Sequence, residues 1–193
     1  MFGHSSRHAP GVSGASRDDR RAAVARAAVA GAIGIEFAAT NVDRGVREND
    51  TEKFMNDAET RRTFNDNVVQ EFRANGGRVN WSDPGDIVLL TMTGAKSGQP
   101  RLSPLAYFTI DGKMLIVGSF GGAPKDPAWV QNLRAKPEAH VEVGTESYDV
   151  VARELPRDER DALFDKLVEL APVFGDYQAK TSRIIPLFEL HKD

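Results

Sequence analysis

An α+β protein built round a small antiparallel barrel of about six strands, with helices set at its edges, is predicted by three features of the chain. Short apolar runs recur from Ile87 to Leu190. Hairpin signals such as Asp111-Gly112 and Gly144 join them tightly. Most of those runs are joined by hairpins, with helical segments set at the edges, so a doubly wound parallel sheet is not supported.

Each element follows from local chemistry. Phe64, Val68 and Phe72 recur at helical spacing, and the helix they define ends at Asn75-Gly76-Gly77, where glycine takes the left-handed capping conformation. Pro84-Gly85 turns the chain into Asp86–Thr93, whose continuous apolar centre reads as a strand buried on both faces. Arg101 to Ile110 forms the second strand, and Met114 to Ser119 returns antiparallel across Asp111-Gly112. A flexible loop, Phe120 to Pro124, leads to a short helix with Asp126 as N-cap and Pro127 at its first position. Pro137 closes that helix. Ala139–Val143 and Tyr148–Arg153 make a hairpin across Gly144, a Pro156-led helix carries Leu163, Phe164, Leu167 and Val168 on one face, and Ile184 to Leu190 is the closing strand.

Composition narrows the function. A chain of 193 residues, 40% hydrophobic and 27% charged, can bury one good core, and a net charge of −3 argues against a general nucleic-acid binder. The absence of cysteine excludes disulfides, thiolate metal sites and a cysteine nucleophile. His4, His8, His140 and His191 show no ligand spacing, so no metal site is expected. Residues 1–57 differ from the domain expected over 58–193. The first 19 read as a flexible leader, and residues 20–39 as an Ala-rich helix. Ala22-Ala23 after Arg20-Arg21 argues against a twin-arginine export signal, and Arg26 and Glu36 argue against a membrane span. That helix suits packing on the domain, or peripheral membrane contact with Arg17, Arg20, Arg21 and Arg26 towards anionic headgroups. The expected location is cytoplasmic, peripheral on the inner face of the membrane if that contact forms.

Thr91 to Arg101 carries the clearest chemical signal. Gly94 and Gly98 let the backbone approach a ligand closely, while Lys96, Arg101, Ser97 and exposed amides offer donors to phosphate or carboxylate. A nucleotide-triphosphate loop does not fit, because Lys96 lies between the glycines and extended residues follow. Taken alone, the stretch reads equally as an anion cradle or as an ordinary polar hairpin turn.

From about Phe64 to Leu190 the chain resembles the deazaflavin-dependent nitroreductase family, split β-barrel oxidoreductases of actinobacteria that use coenzyme F420. The resemblance rests on Thr93-Gly94-Ala95-Lys96-Ser97-Gly98-Gln99-Pro100-Arg101, Pro104-Leu105, Ser119 with Gly121-Gly122, Pro127-Ala128-Trp129 with Asn132-Leu133, and Tyr177 preceding Thr181-Ser182-Arg183. It implies that Lys96 and Arg101 hold the coenzyme phosphate, with Ser97 and loop amides such as that of Gly98 sharing its oxygens. It also implies that Pro104, Val117, Ser119, Gly121, Gly122 and Trp129 line the ring system or its linker. Trp129 serves equally as an apolar helix anchor.

The implied reaction is hydride transfer from reduced coenzyme to a quinone, an enone or a nitro compound. Ser119 and Tyr177 are the hydroxyls expected near the acceptor oxygen, with the proton coming from Tyr177 or from solvent. Phe120 stands where members often carry Lys, and Phe174 replaces a tyrosine that some members place over the substrate, so a hydrophobic acceptor such as a menaquinone-like lipid is expected. Two alternatives stay open: a flavin mononucleotide enzyme of related fold, and a deazaflavin carrier without turnover. Oligomeric state is not legible.

Overall fold

Helix α1, Ala58–Ala74, starts where the chain supplies an acceptor and stops where it supplies glycine. The Asp57 carboxylate accepts from the Glu59 and Thr60 amides, and Asn75 is the C-cap. Gly76 and Gly77 follow at φ +62° and +84°, and the Gly77 amide returns to the Phe72 carbonyl at 2.8 Å. The computed structural model describes residues 57–79 and 87–192. Pro84-Gly85, Asp86 and the leader and helix expected before Asp57 lie outside those residues.

Among the described residues, six strands close into one antiparallel barrel. They are β1 (Ile87–Thr93), β2 (Pro100–Ile110), β3 (Lys113–Val117), β4 (Glu138–Val143), β5 (Glu146–Glu154) and β6 (Leu187–Lys192), in the order β1-β2-β3-β6-β5-β4. The register pairs Thr93 with Pro100, Val117 with Leu187, Glu154 with Phe188 and Met92 with Ala139. Helix α2 is Ala128–Ala135, α3 Arg157–Leu170 and α4 Val173–Ala179.

Two cores explain why β1 is apolar throughout. Val88, Leu90 and Met92 join Ile116, Val141, Val150, Phe188 and Leu190 in the barrel interior, where α2 adds Trp129, Val130 and Leu133. Ile87 and Leu89 face outwards into a second cluster, which α1, α3 and α4 complete with Phe72, Phe164, Leu167 and Phe174. Each such fully buried side chain contributes about 1.5–3 kcal/mol of apolar transfer.

Several local expectations change. Asp126 does not cap α2: its carboxylate accepts from Arg134 and Arg183, both at 2.7 Å, and Pro127 is the N-cap residue without a side-chain bond. Strand β3 stops at Val117 because the Gly118 amide bonds the Pro186 carbonyl at 2.9 Å and Ser119 adopts helical backbone. The closing strand begins at Leu187, not Ile184. Phe120–Gly122 forms a 3-10 turn instead of a flexible loop. Helix α4 has no counterpart in the sequence reading: at seven residues, with Gly175 inside it, its period is too short to register.

On the outer face of β3-β6-β5, buried Glu189 accepts from Lys113 at 2.8 Å and Arg153 at 2.6 Å, and Arg153 also donates to Glu159. Hydrogen bonding from Arg153 draws the Glu159 carboxyl from its ordinary 4.5 down to about 2. Burial pushes Glu189 up, but bonds from Lys113 and Arg153 outweigh it and hold that carboxyl below 4.5. Because the folded state favours the ionised forms, their contribution is complete above pH 4.5 and is lost as pH falls towards 2. Acid titration followed by circular dichroism should show stability declining through that window, and Glu159→Gln should flatten the decline. A second prediction concerns Gly77, where a Cβ would lie 2.2 Å from the Gly144 Cα. With the positive φ, Gly77→Ala should cost ~3 kcal/mol or more in urea unfolding, and a loss below ~1 kcal/mol would contradict this contact.

Candidate active site

Antiparallel pairing fixes which loops meet. The C-terminal ends of β1, β3 and β5 and the N-terminal ends of β2, β4 and β6 lie at one end of the barrel, as the register requires. The β1–β2 connection, the segment from Gly118 through α2, and the approach from α4 to β6 therefore gather at that end. The sequence-predicted residues sit on or beside those segments.

Residues 94–99 form the cradle. The Gly94 amide bonds the Gln99 carbonyl at 2.9 Å and the Gly98 amide bonds the Gly94 carbonyl at 2.8 Å. Gly98 has φ +64° and open space where a Cβ would point, so a ligand can approach its backbone. Lys96, Ser97 and Arg101 are exposed, and Arg101 donates to the Ser97 hydroxyl at 3.5 Å. Neither Lys96 nor Arg101 pairs with a carboxylate among the described residues, which leaves both cations available to an anion. One residue whose part the sequence reading missed fastens the loop: Asn132 on α2 accepts from the Ala95 amide at 2.9 Å. Beside the cradle lies an open groove of about 440 Å³, bordered by Thr91, Thr93, Gly98, Lys136 and His140.

The other predicted residues are more enclosed. Ser119 is fully buried, and among the described residues its hydroxyl has no hydrogen-bond partner. A buried hydroxyl left unpaired costs about 1–3 kcal/mol, so this one can accept or donate a bond to an approaching polar group. Gly122 stands at φ +79°, and a Cβ there would come within 2.7 Å of the Tyr177 carbonyl oxygen, so the turn after Ser119 abuts α4 at Tyr177. Phe174 and Tyr177 lie edge to face at 5.8 Å, and Phe174 meets Phe108 likewise at 5.5 Å. Val117 and Pro104 are buried, the latter opposite Leu89 in the sheet, and Gly121 is half-buried. Trp129 packs inside the barrel against Phe188 at 5.6 Å, as the helix-anchor alternative expects.

Thus the structure sets Lys96, Ser97 and Gly98 in one loop with Arg101 at the adjoining start of β2, and Gly122, in the turn after Ser119, against Tyr177. Both groups occupy the same end of the barrel. An open cationic loop suits a phosphate, and an orphaned hydroxyl with glycines beside it suits the close approach of a polar ring edge. The residues present therefore fit a phosphate-bearing cofactor. Among the described residues no cluster of side chains suits a metal ion, and no helix is long and apolar enough to cross a membrane.

Residues 63–192 match the family model described as F420H(2)-dependent quinone reductase. An F420H(2)-dependent quinone reductase of Mycobacterium tuberculosis is 37% identical over 62% of this chain and 83% of its own. A solved chain described as a domain-swapped dimer is 38% identical, with TM-score 0.52, over 65% of this chain and 93% of that one. A solved F420-H2 dependent reductase is 43% identical over 55% of this chain and 94% of that chain, with TM-score 0.49.

Because the Ser119 hydroxyl has no bond to lose among the described residues, Ser119→Ala should leave stability unchanged or raise it by ~1 kcal/mol. Thermal unfolding measures this, and a destabilisation beyond ~1 kcal/mol would show that the hydroxyl is engaged.

Proposed function

The chain belongs to the F420H(2)-dependent quinone reductase family, and from that premise we propose which of its residues perform the chemistry. Its cofactor is coenzyme F420, which supplies the hydride when bound in reduced form, and its reaction reduces an electron-poor acceptor of the quinone class. Membership decides against the flavin mononucleotide alternative. One observation carries the assignment of residues: the Ser119 hydroxyl, which has no partner among the described residues, and the cradle cations, which meet no described carboxylate, share one end of the barrel.

Lys96 and Arg101 hold the coenzyme phosphate, and Ser97 and the Gly98 backbone take the remaining oxygens. Asn132 keeps the cradle in shape through the Ala95 amide. Trp129 contributes by packing against Phe188, which seats the helix that carries Asn132. Pro104, Val117, Gly121 and Gly122 border the ring end. Ser119 and Tyr177 orient the acceptor oxygen and supply hydrogen bonds as negative charge develops there, with Tyr177 as the candidate proton donor.

Phe120 and Phe174 make the acceptor side apolar, which favours a hydrophobic quinone such as a menaquinone-like lipid over polar nitro compounds. Residues 20–39 would bring the protein to the inner face of the membrane, where such an acceptor resides. This reading keeps the protein cytoplasmic.

Lys96→Ala and Arg101→Ala should each weaken coenzyme binding by about 1.5–3 kcal/mol, read as fluorescence quenching. Unchanged affinity in both would return the loop to an ordinary turn. Tyr177→Phe should lower turnover with menadione more than it lowers coenzyme affinity, and equal losses would assign Tyr177 to packing. Removing residues 1–57 should reduce cosedimentation with anionic vesicles; unchanged partitioning would end the membrane proposal.

A further inference from the structure

The turn that follows Ser119 is strained and held from outside. Phe120, Gly121 and Gly122 stand at φ +46°, +62° and +79°, and left-handed backbone in a residue such as phenylalanine persists only where its surroundings impose it. Those surroundings converge on one side chain. Arg183, largely buried in the approach to β6, donates from Nη2 to the Ser119 carbonyl at 2.6 Å and from Nε to the Ala123 carbonyl at 2.8 Å, so it brackets the strained turn at both ends. Its Nη1 donates to Asp126 at 2.7 Å, and Asp126 in turn accepts from Arg134 on α2.

The same arginine is tied to the helix that carries Tyr177. Gln178, the next residue on α4, donates from Nε2 to the Arg183 carbonyl at 2.7 Å. The Gln178 Oε1 accepts from the Arg160 guanidinium at 2.7 Å and from the Ile185 amide at 3.0 Å. Arg160 is itself buried, stacked 3.7 Å over Phe164 on α3. One continuous chain of hydrogen bonds, charge-assisted where Arg160 and Arg183 donate, thus runs from α3 through α4 to the turn that presents Ser119.

We propose that Arg183 is a positioning residue, which imposes the left-handed turn after Ser119 and locks its hydroxyl in register with Tyr177. The planar guanidinium suits this, because two carbonyls and a carboxylate spaced along one connection demand donors in a fixed fork. An ammonium can keep the Asp126 pair but cannot hold both carbonyls. The proposal rests on the assignment of Ser119 and Tyr177 to the reactive end of the coenzyme site.

The test uses the full chain and Arg183→Lys, with coenzyme affinity by fluorescence quenching, steady-state turnover with menadione, and hydrogen exchange at the Gly122 and Ala123 amides. The cradle lies on another loop, so coenzyme affinity should change by less than about threefold, while kcat falls about 10- to 100-fold. Exchange at both amides should accelerate in step. Asp126→Asn, which removes one of the three anchors and leaves both carbonyl bonds, should lower kcat by about three- to tenfold, and it serves as the probe if Arg183→Lys does not fold. Parental kcat with parental exchange in a folded variant would overturn the proposal, as would losses of kcat that only track the folded fraction. Failure of the unaltered protein to bind reduced coenzyme would overturn the assignment of the site itself, which separates the two outcomes.

Discussion

Closure of six antiparallel strands is the constraint on which everything else in this molecule depends. An open sheet of this length leaves two rows of unpaired backbone groups and one wall of its core facing water; closure removes both. It also forces successive connections to alternate between the two ends of the barrel. The tight hairpins at Asp111-Gly112 and Gly144 take one end, and every segment with chemical potential is left at the other. The site is therefore a consequence of strand pairing before it is a consequence of any particular side chain.

The two ends of the proposed coenzyme site are built on opposite physical terms. The cradle is exposed, its cations are unpaired with described carboxylates, and its shape depends on short backbone bonds and one asparagine, so it can yield to an anion at little cost. The region of Ser119 is buried, strained and clamped by arginines whose donors are committed to carbonyls and carboxylates. Flexible capture of the charged portion and rigid presentation of the reactive portion is the division that hydride transfer needs, since reaction rate is far more sensitive to misplacement than binding is.

Much of the fold was legible because its signals are local. The glycine pair after Asn75, the Asp111-Gly112 turn, the helical period of Phe64, Val68 and Phe72, and the unbroken apolar run of Ile87 to Leu90 each report a preference of a few adjacent residues. Reading failed where a long-range partner competed for the same atoms. Asp126 followed by proline looks like a helix cap, yet Arg134 and Arg183 claim its carboxylate, and a charge-assisted bond outweighs a neutral amide donor. Helix α4 escaped notice because Pro172 starts it, Gly175 lies within it and only seven residues report its period.

The sequence by itself determined the class of fold and offered residues 94–99 as a candidate anion cradle, since glycine conformations, hairpin turns and donor chemistry are properties of short segments. Only the tertiary structure decided that the Ser119 hydroxyl would be buried without a partner among the described residues, that Trp129 would face the barrel interior, and that Arg183 would bracket the turn after Ser119. Those facts depend on which distant segments meet when the barrel closes, and backbone carbonyls, the groups Arg183 reads, carry no mark in the amino-acid code.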